Sequence, residues 1–268
     1  MLLGLPCVVF GSMSYEFWQW LFFGLAAMII GMSKCGIPGL GILNVVIFQN
    51  ILLAKDATGF GLPLLIIGDI CAMIAYRRHA EWKQIVKLIP WAGLGVIGGF
   101  FVLGAIDNVQ ARLLIGISLV IMIILHVTND GKSAVVGGGL STPLMAPIIG
   151  AMAGFVSMIA NAAGPLMMLY LLAMRMPKMA FMGTSVYFFT LLNLFKVPFL
   201  AYLDIVTLES IGANLRLIPL VLGGAFIGYA FARRVNQLWF ERTAFWLTII
   251  AVAYMIWNAA KEVINAYG

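Results

Sequence analysis

Two long apolar stretches are each interrupted by a knot of glycine and proline, and the knots fall in corresponding places of two halves of the chain. The first reads GMSKCGIPGLG, Gly31 to Gly41, and the second GFVSMIANAAGPLMM, Gly154 to Met168. Interrupted apolar segments at matched positions of a repeated chain point to the binding site of a secondary transporter. A helix broken at membrane depth starts again with free backbone N–H groups and a partial positive charge. That end is suited to an anion.

The surroundings of the knots place them in a membrane. Of 268 residues, 63% are hydrophobic and only 10% charged, against about 45–50% and about 25% in soluble domains. At about 20 apolar residues per crossing, the chain has room for roughly eight membrane segments and little else. The apolar runs are continuous, so the alternation of an outer-membrane barrel is not met. The expected fold class is all-α, a polytopic membrane protein built from two inverted repeats. Each repeat has a broken-helix hairpin and three transmembrane helices.

The first repeat is expected over residues 1–128, with a broken helix at 17–53 and helices near 57–76, 88–105 and 111–127. Residues 1–14 read as a short extramembrane start. A Gly-rich connector follows at 129–142. The second repeat takes residues 143–268, with a broken helix at 143–175 and helices near 180–201, 216–232 and 243–260. Gly24 corresponds to Gly150 and Thr58 to Thr184. Pro90, Gly95 and Gly99 correspond to Pro219, Gly224 and Gly228.

Charge sets the orientation. The net charge of +6 reflects basic loops that fix topology, not a nucleic-acid surface. In the first half the loop after the third segment is basic, with Arg77, Arg78, Lys83 and Lys87. In the second half it is the next loop, with Arg233, Arg234 and Arg242. Both are expected in the cytoplasm, so equivalent loops face opposite sides and the repeat is inverted. The termini then lie outside, in a multi-pass protein of the cell (inner) membrane. Each hairpin enters and leaves on one side, either as two half-helices or as two full crossings.

Lys34, beside the first knot, and Lys196, in LLNLFKVPFL, are cations in apolar segments. Ionisable residues at membrane depth are expensive and mark sites. Asp69, the single acid of its span, is a candidate for carrying a coupling proton. Gly36, Gly39 and Gly164 permit turning and close approach. Asn161, Thr184 and Asn193 supply hydrogen-bonding groups, though interhelical bonding also explains such residues, as it does for Asn44 and Ser185. The expected substrate site is therefore Lys34, Gly36, Gly39, Asn161, Gly164, Thr184, Asn193 and Lys196, with Asp69 for the proton.

No Walker lysine follows Gly137–Gly139, and no hydrolase motif appears. Cys7, Cys35 and Cys71 have no metal spacing. No enzyme activity, cofactor or metal is expected. The expected partners are a small anion and the bilayer, and a homodimer is left open.

These motifs resemble those of the sulfite exporter TauE/SafE family of bacterial membrane permeases. The first-half stretch GMSKCGIPGLGIL, Gly31 to Leu43, is similar to its N-terminal signature, except that Cys35 stands where glycine is frequent. The second-half stretch Gly154 to Phe199 is similar over a longer run, through NAAGP, GTS and Asn193, Lys196 and Pro198. The resemblance implies an anion carrier for sulfite, organosulfonates or sulfocarboxylates, with export as the expected direction. A passive anion channel, or a non-transporting assembly or regulatory protein, is the alternative.

Overall fold

The computed structural model describes residues 8–10, 13–107, 110, 114, 145–174, 176–240, 242–243, 246, 250 and 257. The connector at 129–142 lies outside these residues, and so do nearly all of the segments expected at 111–127 and 243–260.

The described chain is helical apart from a small hairpin at its start. In that hairpin β1 (Val8–Phe10) pairs antiparallel with β2 (Met13–Tyr15). The helices are α1 (Phe17–Cys35), α2 (Gly41–Ile51), α3 (Ala54–Tyr76) and α4 (Trp82–Ala105) in the first half. The second half supplies α5 (Met145–Ala160), α6 (Gly164–Ala173), α7 (Lys178–Tyr202) and α8 (Leu208–Arg234). Helices α1, α3, α4, α7 and α8 are long and apolar enough to cross a membrane. Their exposed side chains include Leu21, Ile74, Leu94, Phe101, Leu215 and Phe226, an apolar surface that only lipid makes comfortable. The protein is a multi-pass membrane protein. Helices α4 and α8 begin earlier than their apolar runs, at Trp82 and Leu208. Their first turns carry charged residues that continue the helix beyond the hydrocarbon. Thr207 and Ser210 close a capping box at the start of α8, which fixes that extended end.

Contacts between named residues give the direction of each helix. Phe23 near the start of α1, Phe48 near the end of α2 and Phe60 near the start of α3 form one aromatic cluster, with centroids 4.8–6.0 Å apart. Hence α1 and α2 form a hairpin whose limbs start and finish at the same end of the molecule. By length α1 could cross, but its last turn lies beside Gly68 and Asp69 of α3, and the chain turns back there. The second hairpin is mirrored. Gly150 near the start of α5 lies against Leu88, and the Tyr170 hydroxyl near the end of α6 donates to Gln84 Oε1 at 2.6 Å. Both limbs therefore open toward the start of α4. The first hairpin turns beside Gly68 and Asp69, inside α3, as a re-entrant hairpin would.

The ends toward which the hairpins open are opposite. At one end the loop 77–81 meets α7, where Glu81 N–H donates to Thr184 Oγ1 at 2.9 Å. At the same end Lys178 Nζ donates to the carbonyls of Ala232 and Val235 at 2.6 and 2.5 Å. The two basic loops are thus neighbours. At the other end Gly59 of α3 lies against Ile205, just beyond α7. Helices α3 and α7, equivalent by sequence, run antiparallel, as an inverted repeat would have them.

The first limb of each hairpin packs along a long helix of the other half, α1 on α8 and α5 on α4. Both interfaces are close because the sequence supplies glycine. A methyl on Gly31 would fall 2.1 Å from the Val221 carbonyl oxygen, and one on Gly154 1.9 Å from that of Ala92. Small residues let backbones approach where lipid gives no hydrophobic drive for association. Overpacking costs about 1–3 kcal/mol. Gly154→Ala should accordingly lower the thermal unfolding midpoint in detergent, whereas Gly164→Ala, whose methyl would meet nothing within 4 Å, should not. A second expectation concerns the ends. Single cysteines at 78 and 236, in a cysteine-free background, should react with an impermeant maleimide from one face of the membrane. A cysteine at 202 should react from the other. Labelling of 78 and 236 from opposite faces contradicts this arrangement.

Candidate anion site between the hairpin tips

The first tip forms because α1 runs out of hydrogen-bonding partners at its glycines. The N–H groups of Gly36 and Ile37 both return to the Met32 carbonyl, at 2.9 and 3.0 Å. The Tyr76 hydroxyl donates to the Cys35 carbonyl at 2.6 Å. Gly39, with φ of 96°, occupies left-handed backbone that glycine adopts freely, and α2 starts at Gly41. Lys34 in the last turn of α1 faces the negative end of that helix dipole.

The second tip uses asparagine for the same purpose. Asn161, with φ of 54°, ends α5 in the left-handed conformation that glycine and asparagine tolerate. Its N–H returns to the Ser157 carbonyl at 3.0 Å. Pro165 then stands in the first turn of α6, where a missing N–H is no loss.

The two tips meet. Between them lies a cavity of about 80 Å³, far below the roughly 300–1,000 Å³ of pockets for drug-sized ligands. The first tip presents Ser33, Lys34, Pro38 and Gly39. The second presents Ser157, Asn161, Gly164 and Pro165. Helix α7 closes the side with Ser185, Phe189 and Asn193. Helices α2 and α6 both start at this cavity and turn the positive ends of their dipoles toward it, with the N–H groups of Ile42 and Leu43 taken by the Gly39 and Leu40 carbonyls and that of Met167 by Ala163.

Behind the cavity wall the polar groups are tied into a network. Lys34 Nζ pairs with Asp69 Oδ1 at 2.6 Å, and the Phe189 ring lies 4.5 Å from the same ammonium. Asn193 Nδ2 donates to Asp69 Oδ2 at 2.7 Å. Lys196 Nζ donates to the Ser157 carbonyl (3.0 Å), Ser157 Oγ (2.9 Å) and Asn161 Oδ1 (2.6 Å). Asn161 Nδ2 donates to the Thr58 carbonyl at 2.8 Å, and Thr58 Oγ1 to that of Ile159 at 2.8 Å. Each tip is thus held by a charged residue of its own half, the first by Asp69 through Lys34 and the second by Lys196.

Of the residues singled out in the sequence, Lys34, Gly39, Asn161, Gly164 and Asn193 line the cavity. Gly36, Thr184, Lys196 and Asp69 do not. Gly36 is pressed against Gly228, whose carbonyl oxygen would be 1.7 Å from an added methyl. Thr184 faces the basic loop as an acceptor for Glu81. Asp69 and Lys196 are fully buried, at 0% exposure, one layer behind the wall. Three serines join the site instead. Ser33 neighbours Lys34, and Ser157 precedes Asn161 by four residues, on one helix face. Ser185 takes the place expected of Thr184, since one residue is about 100° of helix rotation. Asn44 is buried beside a second, smaller cavity of about 10 Å³ and is not part of this wall.

The match to a family decides the class. The description "Sulfite exporter TauE/SafE" matches residues 17–255. The chain belongs to that family. Comparison with curated proteins and with solved structures gave no match. The matched span takes in both tips and all eight described helices, and this is a family of transporters.

Gly164 separates a role in the site from a role in the fold. Because its added side chain would point into open space, Gly164→Leu should leave the unfolding midpoint unchanged while narrowing the cavity. Retention of full anion flux in that variant would remove Gly164 from the site.

Proposed function

We propose that the protein is a secondary transporter that exports small sulfur-containing anions, such as sulfite or organosulfonates and sulfocarboxylates. The observation that carries this reading is the meeting of two oppositely directed hairpin tips at one small cavity that contains Lys34. An anion there would receive the Lys34 ammonium, the hydroxyls of Ser33, Ser157 and Ser185, and the amides of Asn161 and Asn193. The positive dipole ends of α2 and α6 would face it from opposite directions. Charge-assisted hydrogen bonds of this kind are roughly twice as strong as neutral ones. Export as the direction follows the family's description.

Movement of one inverted repeat against the other would expose the cavity alternately to each side. The first limb of each hairpin is packed on a helix of the opposite half, so motion of one half would carry the other half's hairpin tip with it. Lys196 does not reach the cavity. Its part is to hold Ser157 and Asn161 in place, so Lys196→Met should weaken anion binding and also lower stability by about 1–3 kcal/mol through unpaired buried acceptors. The basic loops are assigned to the cytoplasm by the positive-inside rule, in the inner membrane.

The test is flux of sulfite and of methanesulfonate in proteoliposomes. Uphill movement driven by an ion gradient supports a carrier. Downhill flux alone makes the protein a channel, and absence of flux leaves a membrane protein whose helix breaks are only structural. Lys34→Met should reduce flux by about tenfold or more, the loss of one charge-assisted contact. Flux unaffected by that substitution would place the anion elsewhere.

A further inference from the structure

We propose that the transported anion takes Lys34 away from Asp69, and that Asp69 then binds a proton that leaves with the anion, export being driven by the anion's own outward gradient. This rests on the carrier reading above and adds the coupling step to it. Lys34 is the sole cationic side chain on the cavity wall among the described residues, and it already has a counter-ion, Asp69 Oδ1 at 2.6 Å. The lysine side chain is 13% exposed, toward the cavity, while Asp69 has no exposure. An anion can therefore reach the ammonium without reaching the carboxylate. Two negative groups on one ammonium, away from bulk water, repel each other strongly.

Among the described residues no other cation is free to take over Asp69. The groups around it are Lys34 and Cys35 on α1, Cys71 on its own helix, and Asn193 and Lys196 on α7, with Tyr76 and Tyr229 further along. Lys196 is occupied by three acceptors on the second tip. Separated from Lys34, the carboxylate would keep one hydrogen bond, from Asn193. A buried charge left so poorly compensated becomes neutral. One O–H bond forms, on Asp69 Oδ1, with a proton that the buffer acid gives up to it by way of the cavity. The ammonium keeps its three protons and only redirects a hydrogen bond to the anion. The buried charge of this cluster is the same before and after, since the anion replaces the carboxylate and the proton cancels it. On release of the anion, Lys34 recaptures Asp69 and the proton leaves.

The sign of the pH dependence follows. The anion-bound form holds one more proton, so affinity for a permanently ionised anion rises as pH falls, approaching tenfold per pH unit. The experiment measures binding of methanesulfonate and of sulfite to the purified protein by calorimetry, in buffers of different ionisation heat, which reports protons taken up. Wild type should take up about one proton per anion beyond the amount taken up by Asp69→Asn, a difference in which the anion's own titration cancels. Asp69→Asn should also bind the anion about tenfold more tightly, or better, because the internal competitor is gone. A residue that only supported the fold would produce weaker binding. If Asp69→Asn is poorly folded, Lys34→Met with Asp69→Asn removes both charges together, and it should bind weakly and take up no excess proton. Equal proton uptake by wild type and either variant, or weaker binding in a folded Asp69→Asn, overturns the exchange while leaving the carrier reading in place. Failure of wild type to bind or move either anion removes both.

Discussion

A polypeptide in lipid must satisfy its own backbone, because hydrocarbon offers no partner for a stray N–H or carbonyl. Two helix ends inside the protein break that rule, and the fold is arranged around how they are tolerated. Each tip is flanked by the long helices α3 and α7, and the two share one cavity. The orphan groups are either returned to their own helix, as at Gly36 and Asn161, capped from outside, as by Tyr76 on Cys35, or turned toward the cavity.

The buried charges make sense against that background. Asp69 and Lys196 are expensive at this depth, and each is compensated within its own half. Asp69 holds the first tip through the only cation on the wall among the described residues, so its interaction is exposed to competition by a ligand. Lys196 holds the second tip through Ser157 and Asn161, and its ammonium does not meet the cavity. One latch is therefore accessible to an anion and the other is not. The two halves are alike in architecture and unlike in chemistry. If the exchange proposed above operates, it would be tied to that single site.

The close interfaces of α1 with α8 and of α5 with α4 add a mechanical element. Glycines bring these backbones together, and each places a hairpin limb from one half on a helix from the other. Under the proposed mechanism each hairpin limb would move with the helix of the other half on which it packs.

Much of this was legible in the residues themselves. Apolar run length gave the membrane class, glycine and proline gave the breaks, and the swapped basic loops placed both at one end, where Glu81 meets Thr184 and Lys178 meets Ala232. The chemistry of Lys34, Asn161 and Asn193 could also be read, because a polar residue in an apolar run advertises its own cost. Charge counting could not decide between re-entrant hairpins and full crossings, since both return to the same side. The position of the turn speaks to it, since the last turn of α1 lies beside Gly68 and Asp69, inside α3 and short of its end. Nor could sequence say which buried polar groups face the cavity. Thr184 and Ser185 are adjacent in the chain but point to different surroundings, and Lys196 looks like a ligand until Ser157 and Asn161 are found between it and the cavity. Sequence alone determined the medium, the breaks and the charged residues, since these depend on residue type and local spacing. The tertiary structure alone decided which of those residues share a wall, because that depends on helix rotation and on packing between segments more than a hundred residues apart.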